Sequence, residues 1–170
     1  LGFFRIFPET VLMRPQPLLP LQVDAHKRYD LIILAYQVWF LSPSLPVTSF
    51  LASPEAARLF KDTPVVTLIG CRNMWLMAQE KAKAKLTELG ARLVDNIALT
   101  DACGTAASFL ATPLWMFTGR QKPYAWVPRA GIEEREIAAA SRFGEAMAQR
   151  LTGDALPVRE PMLKGLGAVR

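Results

Sequence analysis

Three short apolar runs, each bounded by polar or proline residues, predict three strands in the middle of the chain. They are Leu31–Tyr36, Pro64–Gly70 and Arg92–Leu99. The first two runs are nearly continuous and rich in aliphatic residues, a pattern typical of strands covered on both faces. The third alternates apolar and polar residues, which indicates a position nearer the edge of the sheet.

A helical pattern follows each of the first two runs, and another lies near the C-terminal end of the chain. Pro46 to Phe60 is predicted as a helix in two pieces, because the Ser53-Pro54 pair supplies an N-cap and a first-turn proline. Met74 to Leu89 is rich in Lys, Glu and Ala, and Gly90 marks its end. Glu133 to Leu151 carries a single apolar stripe, as expected for a helix on the surface of a core.

The alternation of strands and helices predicts one α/β domain over residues 1–170, built from right-handed βαβ units around a parallel sheet. Its parts are an irregular proline-rich lead-in (1–29), a βαβαβ segment (30–99), an irregular apolar insertion (100–130) and a C-terminal helix (131–153). Hydrophobic residues make up 51% of the chain and charged residues 21%, which supports a globular core and argues against disorder.

Charge and hydropathy limit the classes of partner that the chain is expected to bind. The net charge of +5 is scattered, and Lys81, Lys83 and Lys85 do not share one helix face, so we expect no nucleic-acid binding. The longest apolar stretch, residues 106–117, is broken by Pro113 and is too short to span a membrane. We expect that stretch to be buried under a loop or beside a ligand.

Two unusual loops follow the first and second predicted strands, where an open parallel sheet binds its ligands. The first begins Tyr36-Gln37-Val38-Trp39, and the second is Gly70-Cys71-Arg72-Asn73-Met74-Trp75. Exposed aromatic rings beside backbone N–H groups suit a flat conjugated ligand. The rings offer stacking area, and the amides donate hydrogen bonds to the polar edge of the ligand. The alternative is that Trp39 and Trp75 only pack the loops against the protein.

These segments resemble the flavodoxin-like superfamily and its NAD(P)H:quinone reductase-like members. The stretches YDLIILAYQVW, SPSLPVTSFL and PVVTLIGCRNMW carry the likeness, which is closest to the dialkylresorcinol condensing enzyme branch and covers about residues 29–120. The resemblance implies an open parallel sheet with helices on both faces, in which the three predicted strands are strands three to five. It also implies that FMN lies at the carboxyl ends of the strands.

The resemblance implies an FMN-dependent oxidoreductase with NAD(P)H as the candidate hydride donor. Its substrate would be a small apolar or aromatic molecule, either a cyclic alkyl-substituted intermediate of dialkylresorcinol type or a quinone. The apolar insertion would cover this substrate with Phe109, Leu114, Trp115 and Phe117.

Carried over by position, the resemblance places residues on both sides of the flavin. These residues are Tyr36, Gln37, Val38 and Trp39 on one side and Gly70, Cys71, Arg72, Asn73 and Trp75 on the other. Arg72 and Asn73 are the candidates for a catalytic role, since positioned donors stabilise charge near the reduced ring. A surface salt bridge is the alternative role for Arg72.

Flavodoxin-like proteins hold the FMN phosphate with a Ser/Thr- and Gly-rich loop after the first strand, and no such loop occurs in residues 1–170. We therefore expect the first strand, this loop and the second strand to lie upstream of Leu1. In the usual 2-1-3-4-5 order the third strand then presents an unpaired edge. This predicts that residues 1–170 alone bind FMN poorly and are unstable or associate into homo-oligomers.

Two other functions stay open. The chain could be a degenerate flavodoxin-like binding or scaffold domain without flavin. Cys71 could also be a nucleophile, because a helix N-terminus favours a thiolate. The base for it is missing, since the only histidine, His26, lies in the lead-in and is predicted at the surface. With Cys103 as the second cysteine, a metal site is not expected and a reduced, cytoplasmic setting is the default.

Overall fold

A four-stranded sheet forms the centre of the fold in a computed structural model that describes residues 5–24, 27–101, 103, 105–122 and 124–151. The strands are β1 (Ile32–Trp39), β2 (Ser42–Pro43), β3 (Pro64–Cys71) and β4 (Arg92–Thr100), in the order β2-β1-β3-β4. β1, β3 and β4 run parallel, and the short β2 pairs antiparallel with the end of β1. The predicted α/β class is confirmed, and so are the three predicted strands.

Within the described residues, six helices accompany the sheet. They are α1 (Phe7–Val11), α2 (Leu45–Leu51), α3 (Pro54–Phe60), α4 (Leu76–Glu88), α5 (Thr105–Thr118) and α6 (Glu134–Leu151). Ser53 accepts a hydrogen bond of 3.2 Å from the backbone N–H of Ala56, which confirms the predicted restart between α2 and α3. Gly90 follows Leu89, the C-cap of α4, and has a φ of 74°, as a helix-ending glycine does.

The prediction of an irregular insertion at 100–130 is wrong for its first half, which forms α5. Pro113 lies inside this helix, but its side chain faces outward. The opposite side of α5 packs Ala111 against Val127 and Ala130, and this small core stabilises the helix despite the missing N–H. None of the helices in the described residues is both long and apolar enough to cross a membrane.

The lead-in is also partly helical, because α1 interrupts the predicted extended and turn structure. Lys81 connects this helix to the sheet: its ammonium donates hydrogen bonds to Ser42 Oγ (2.7 Å) and to the carbonyl oxygen of Val11 (3.3 Å). The ammonium of Lys81 therefore bonds to protein groups and is not only solvated by water. His26 and residues 152 and 153 of the predicted C-terminal segment lie outside the described residues.

Both faces of the sheet carry apolar cores, because alternate residues of a strand point to opposite sides. The larger core joins Val65 and Ile69 of β3 to side chains of α2, α3 and α4, among them the fully buried Phe60. The smaller core joins Val66 to Phe143 of α6. The sheet is thus covered by helices on both faces over β3.

β1 is less covered than its sequence predicts. Ile33 is 55% exposed, and Ala35 and Gln37 on the same side of the strand are exposed as well. The prediction that this strand is covered on both faces is wrong, because α6 packs over β3 and β4. Within the described part of the chain, the outer edge of β1 pairs only at Val38 and Trp39. Association through this edge stays a prediction.

Candidate functional site

A cavity of about 440 Å³, here called the strand-end pocket, opens at the carboxyl ends of β1 and β3 and beside α5. Its volume falls in the usual range of small-molecule sites. It is lined by Gln37, Val38, Trp39, Gly70, Cys71, Arg72, Asp101, Thr112, Trp115, Gly131 and Ile132. The two loops that the sequence placed at a common ligand edge therefore do meet around one cavity.

Most of the residues predicted to contact a cofactor line this pocket. They are Gln37, Val38, Trp39, Gly70, Cys71 and Arg72. The side chains of Tyr36, Asn73 and Trp75 lie elsewhere. Trp39 is half-buried, and its indole N–H donates a 3.0 Å hydrogen bond to Gln37 Oε1, so the two side chains lie together on the open face of β1.

Tyr36 and Trp75 belong to the larger core rather than to the pocket wall. They are only 5% and 8% exposed. The hydroxyl of Tyr36 donates a 2.7 Å hydrogen bond to Gln79 Oε1 of α4, and burial raises the pKa of Tyr36. The expectation of exposed rings is wrong for both residues, because α4 packs against the side of the sheet that they face. For Trp75, the alternative that it packs its loop down is confirmed.

Trp115 supplies the second aromatic wall of the pocket, from α5. It approaches Gly131 so closely that a Cβ at this glycine would lie 3.6 Å from the indole ring and 3.2 Å from Gln121 Nε2. Gly131 also has a φ of 104°, which disfavours any other residue. Trp115 was expected over the substrate, whereas Phe109 and Phe117 from the same expectation point to solvent.

Asp101 joins the three segments that surround the pocket. Its backbone N–H donates to the carbonyl oxygens of Cys71 (3.1 Å) and Arg72 (2.9 Å). Its carboxylate Oδ1 accepts from the backbone N–H groups of Cys103 and Gly131, each at 3.0 Å. Asp101 was not among the site residues predicted from the sequence. Its position directly after β4 was the available signal.

Arg72 carries a positive charge on the pocket wall and makes no ion pair with the described residues. Its guanidinium donates to Ser108 Oγ at 3.2 Å and 2.9 Å and lies 4.6 Å from the centre of the Phe109 ring. The predicted alternative, a surface salt bridge, is therefore not formed within the described part of the chain. Asn73 donates to the carbonyl oxygen of Cys103 at 2.9 Å, so it holds the loop rather than facing the pocket.

Cys71 is held as a neutral thiol. Its Sγ lies 3.8 Å from the carbonyl oxygen of Leu99, and burial raises the pKa of Cys71 to about 12. This opposes a role as nucleophile, which requires the thiolate. Among the described residues, no cluster of three or more His, Cys, Asp or Glu side chains is arranged to hold a metal ion.

Alkylation should reveal this raised pKa of Cys71. With iodoacetamide at about pH 8, we expect modification to be about 100-fold slower in the folded than in the urea-unfolded protein. The native rate should still rise about tenfold per pH unit near pH 10, where an ordinary thiol has levelled off, because the thiol is the favoured form up to its pKa. Peptide mass spectrometry reports each cysteine separately. A native rate that levels off near pH 9 would contradict the assignment.

No protein-family model, curated protein or solved structure matches this chain. The fold and the pocket define an α/β protein with a cavity at the ends of its parallel strands.

Proposed function

We propose that this chain is an FMN-dependent oxidoreductase of flavodoxin-like type, with the flavin ring in the strand-end pocket. One observation carries the proposal: the loops after two adjacent parallel strands converge on a single cavity that is lined by two indoles from different elements. Trp39 comes from β1 and Trp115 from α5. Ligands of open parallel sheets bind at this edge.

The lining residues fit a flat ring with one polar edge. The indoles of Trp39 and Trp115 offer apolar stacking surfaces, and Val38 and Ile132 complete the apolar lining. Gln37 and Arg72 supply the polar groups. Bound flavin supplies the redox chemistry, with NAD(P)H as the proposed donor.

Arg72 is the proposed catalytic residue, through its charge. The side chain is fixed by Ser108 and Phe109, so little reorganisation is needed to place a cation beside the ring. A cation in this place stabilises the negative charge that develops on reduction. Asn73 acts as a positioning residue, because its amide holds the Cys103 carbonyl behind the pocket.

A second recess of about 230 Å³ adjoins the pocket and supports an apolar substrate. It shares Val38 and Arg72 with the strand-end pocket and is otherwise lined by Phe40, Leu41 and Met74. An alkyl chain on a cyclic substrate would lie against these side chains while its ring meets the flavin. The proposed substrate class is therefore an alkyl-substituted ring of dialkylresorcinol type or a quinone.

The ring, rather than the phosphate, is the part of FMN that this chain recognises in our proposal. Residues 1–170 contain no Ser/Thr- and Gly-rich phosphate loop, and Arg72 is the only cation lining the pocket among the described residues. We therefore expect FMN and riboflavin to bind with affinities that agree within about threefold, since a phosphate contact would add a charge-assisted hydrogen bond.

Flavin fluorescence titration tests this proposal. Trp39→Ala is expected to weaken riboflavin binding about tenfold or more, because base–aromatic stacking of similar area is worth about 1–3 kcal/mol. Trp126→Ala is the matched control, since Trp126 is a 70% exposed indole that does not line the pocket. Equal affinities for the wild type and both variants, or no flavin binding at any concentration, would refute the ring site.

A flavin-free binding or scaffold domain is the second candidate function. The burial of Tyr36 and Trp75 favours it, because two of the aromatic rings expected at the cofactor serve the core instead. The same titration separates the two functions. A Cys71 nucleophile has no such support, because burial raises its pKa to about 12.

A further inference from the structure

The solvent-facing side of α5 is apolar among its described side chains, apart from Thr118 at the end of the helix. Phe109, Leu110, Pro113, Met116 and Phe117 are all exposed. At 3.6 residues per turn these positions fall within about 120° of the helix circumference. The usual arrangement of a surface helix is polar toward water, so α5 has the reverse pattern on this side.

The loop after α5 carries further exposed aromatic residues. Tyr124 and Trp126 are exposed, and their rings stack at 5.9 Å between centroids with an interplanar angle of 11°. Their loop is anchored from beneath, because Val127 and Ala130 pack on the buried side of α5. We call the exposed residues of α5 together with Tyr124 and Trp126 the aromatic surface. Exposed apolar surface of this extent marks an interaction site.

The charged residues of α5 and of the loop after it, up to residue 132, have a single sign. Residues 102–132 contain three cations and no Asp or Glu. Arg120, Lys122 and Arg129 are all exposed, and none pairs with a carboxylate in the described part of the chain. The complementary partner is therefore an extended anionic surface that also accepts apolar side chains.

We propose that the aromatic surface docks onto an anionic lipid bilayer, with Phe117 and Trp126 inserted at the level of the headgroups. Trp and Tyr prefer the boundary between headgroups and acyl chains. Apolar side chains with neighbouring cations bind such a boundary through burial and attraction to anionic lipids together. A protein partner would need a matching acidic and apolar patch, whereas an anionic bilayer supplies both properties at every point of its surface.

This docking would leave the strand-end pocket open to solvent, on the side of α5 that faces away from the bilayer. Trp115 faces the pocket from the same helix whose opposite side carries Phe117. The proposal does not depend on the nature of the pocket's ligand, since it uses none of the pocket-lining residues.

Co-sedimentation with vesicles tests the proposal. The full chain is expected to bind vesicles of phosphatidylcholine with about 30% phosphatidylserine at least tenfold more tightly than pure phosphatidylcholine vesicles. Phe117→Ser and Trp126→Ser should each weaken binding about tenfold. Both side chains are strongly exposed, so circular dichroism and the unfolding midpoint should not change. Arg120→Glu with Lys122→Glu should weaken binding by a similar factor at low salt.

Matched controls come from other parts of the chain. Leu19→Ser removes an apolar side chain that is 87% exposed in the lead-in, and Lys61→Glu reverses an exposed charge at the amino ends of the strands. Neither should change vesicle binding. The proposal is overturned if the chain binds neither kind of vesicle or binds both equally. It is also overturned if the control substitutions weaken vesicle binding as much as the substitutions in the aromatic surface. It is also overturned if Phe117→Ser abolishes self-association of the chain while vesicle binding is unaffected.

Discussion

Replacing Trp75 by alanine is expected to lower the free energy of unfolding by about 3–5 kcal/mol, the usual cost of removing a buried aromatic side chain. Trp75 is 8% exposed and packs in the core that α4 forms with the sheet. The loss combines the transfer of the side chain to water with the cavity that remains. Urea unfolding, followed by circular dichroism, measures the change.

Two other tryptophans provide the comparison for this result. Trp39→Ala should cost less than about 1.5 kcal/mol, because the half-buried indole borders a cavity and leaves no new void. Trp126→Ala should cost less than about 0.5 kcal/mol, because its side chain is exposed. If Trp75→Ala is no more costly than Trp39→Ala, then Trp75 is not a core residue and its assignment here is wrong.

Replacing Asp101 by alanine is expected to cost about 2–4 kcal/mol and to disrupt the strand-end pocket. The substitution removes the carboxylate oxygen that accepts from the N–H groups of Cys103 and Gly131. Bonds to charged acceptors contribute about 1.5–3 kcal/mol each. Both bonds are only part-buried, so water can replace them in part and the joint loss is smaller than the sum. Both the unfolding free energy and the binding of riboflavin should fall.

Asp101→Asn is the matched control for that substitution. The asparagine carbonyl can still accept both hydrogen bonds, so we expect a loss of less than about 1.5 kcal/mol. Equal losses for the alanine and asparagine variants would mean that the charge, rather than the two accepted bonds, stabilises this region. Unchanged stability in both would mean that Asp101 does not hold the segments together.

The positions of the strands could be predicted because each apolar run is short, bounded and local. The parallel order β1-β3-β4 follows from connections too long for hairpins. The orientation of Tyr36 could not be predicted in this way. Both sides of its strand carry apolar residues, and its partner Gln79 lies 43 positions away in the chain. Which side of a strand a helix covers is determined by tertiary packing and not by the local sequence.

The insertion was mispredicted because a single proline outweighed a strong helical composition. Pro113 lies on the outer side of α5, where its ring meets solvent, and the opposite side packs on Val127 and Ala130. Sequence reasoning also expected Phe109 and Phe117 to be buried. Their exposure reverses the usual relation between hydropathy and burial, so no local rule could have anticipated it.

The candidate site could be predicted in part. The meeting of the β1 and β3 loops follows from parallel strands, whose carboxyl ends share one edge of the sheet. The contributions of Asp101 and Trp115 depend on where α5 and the loop before α6 return to the sheet. Those placements are set by long-range contacts, such as the Arg72–Ser108 bonds and the packing of Trp115 on Gly131.

Backbone amide NMR of the labelled chain, titrated with riboflavin, tests the central claim most directly. The strand-end pocket predicts that chemical shifts change at residues 37–39, 70–72 and 131–132, and that Trp39→Ala reduces these changes while Trp126→Ala leaves them intact. A separate groove of about 350 Å³ between the lead-in and α2 serves as a comparison site in the same chain. Shifts confined to residues 15–21 and 49–55 of that groove, or no shifts at saturating riboflavin, would contradict a flavin site at the strand ends.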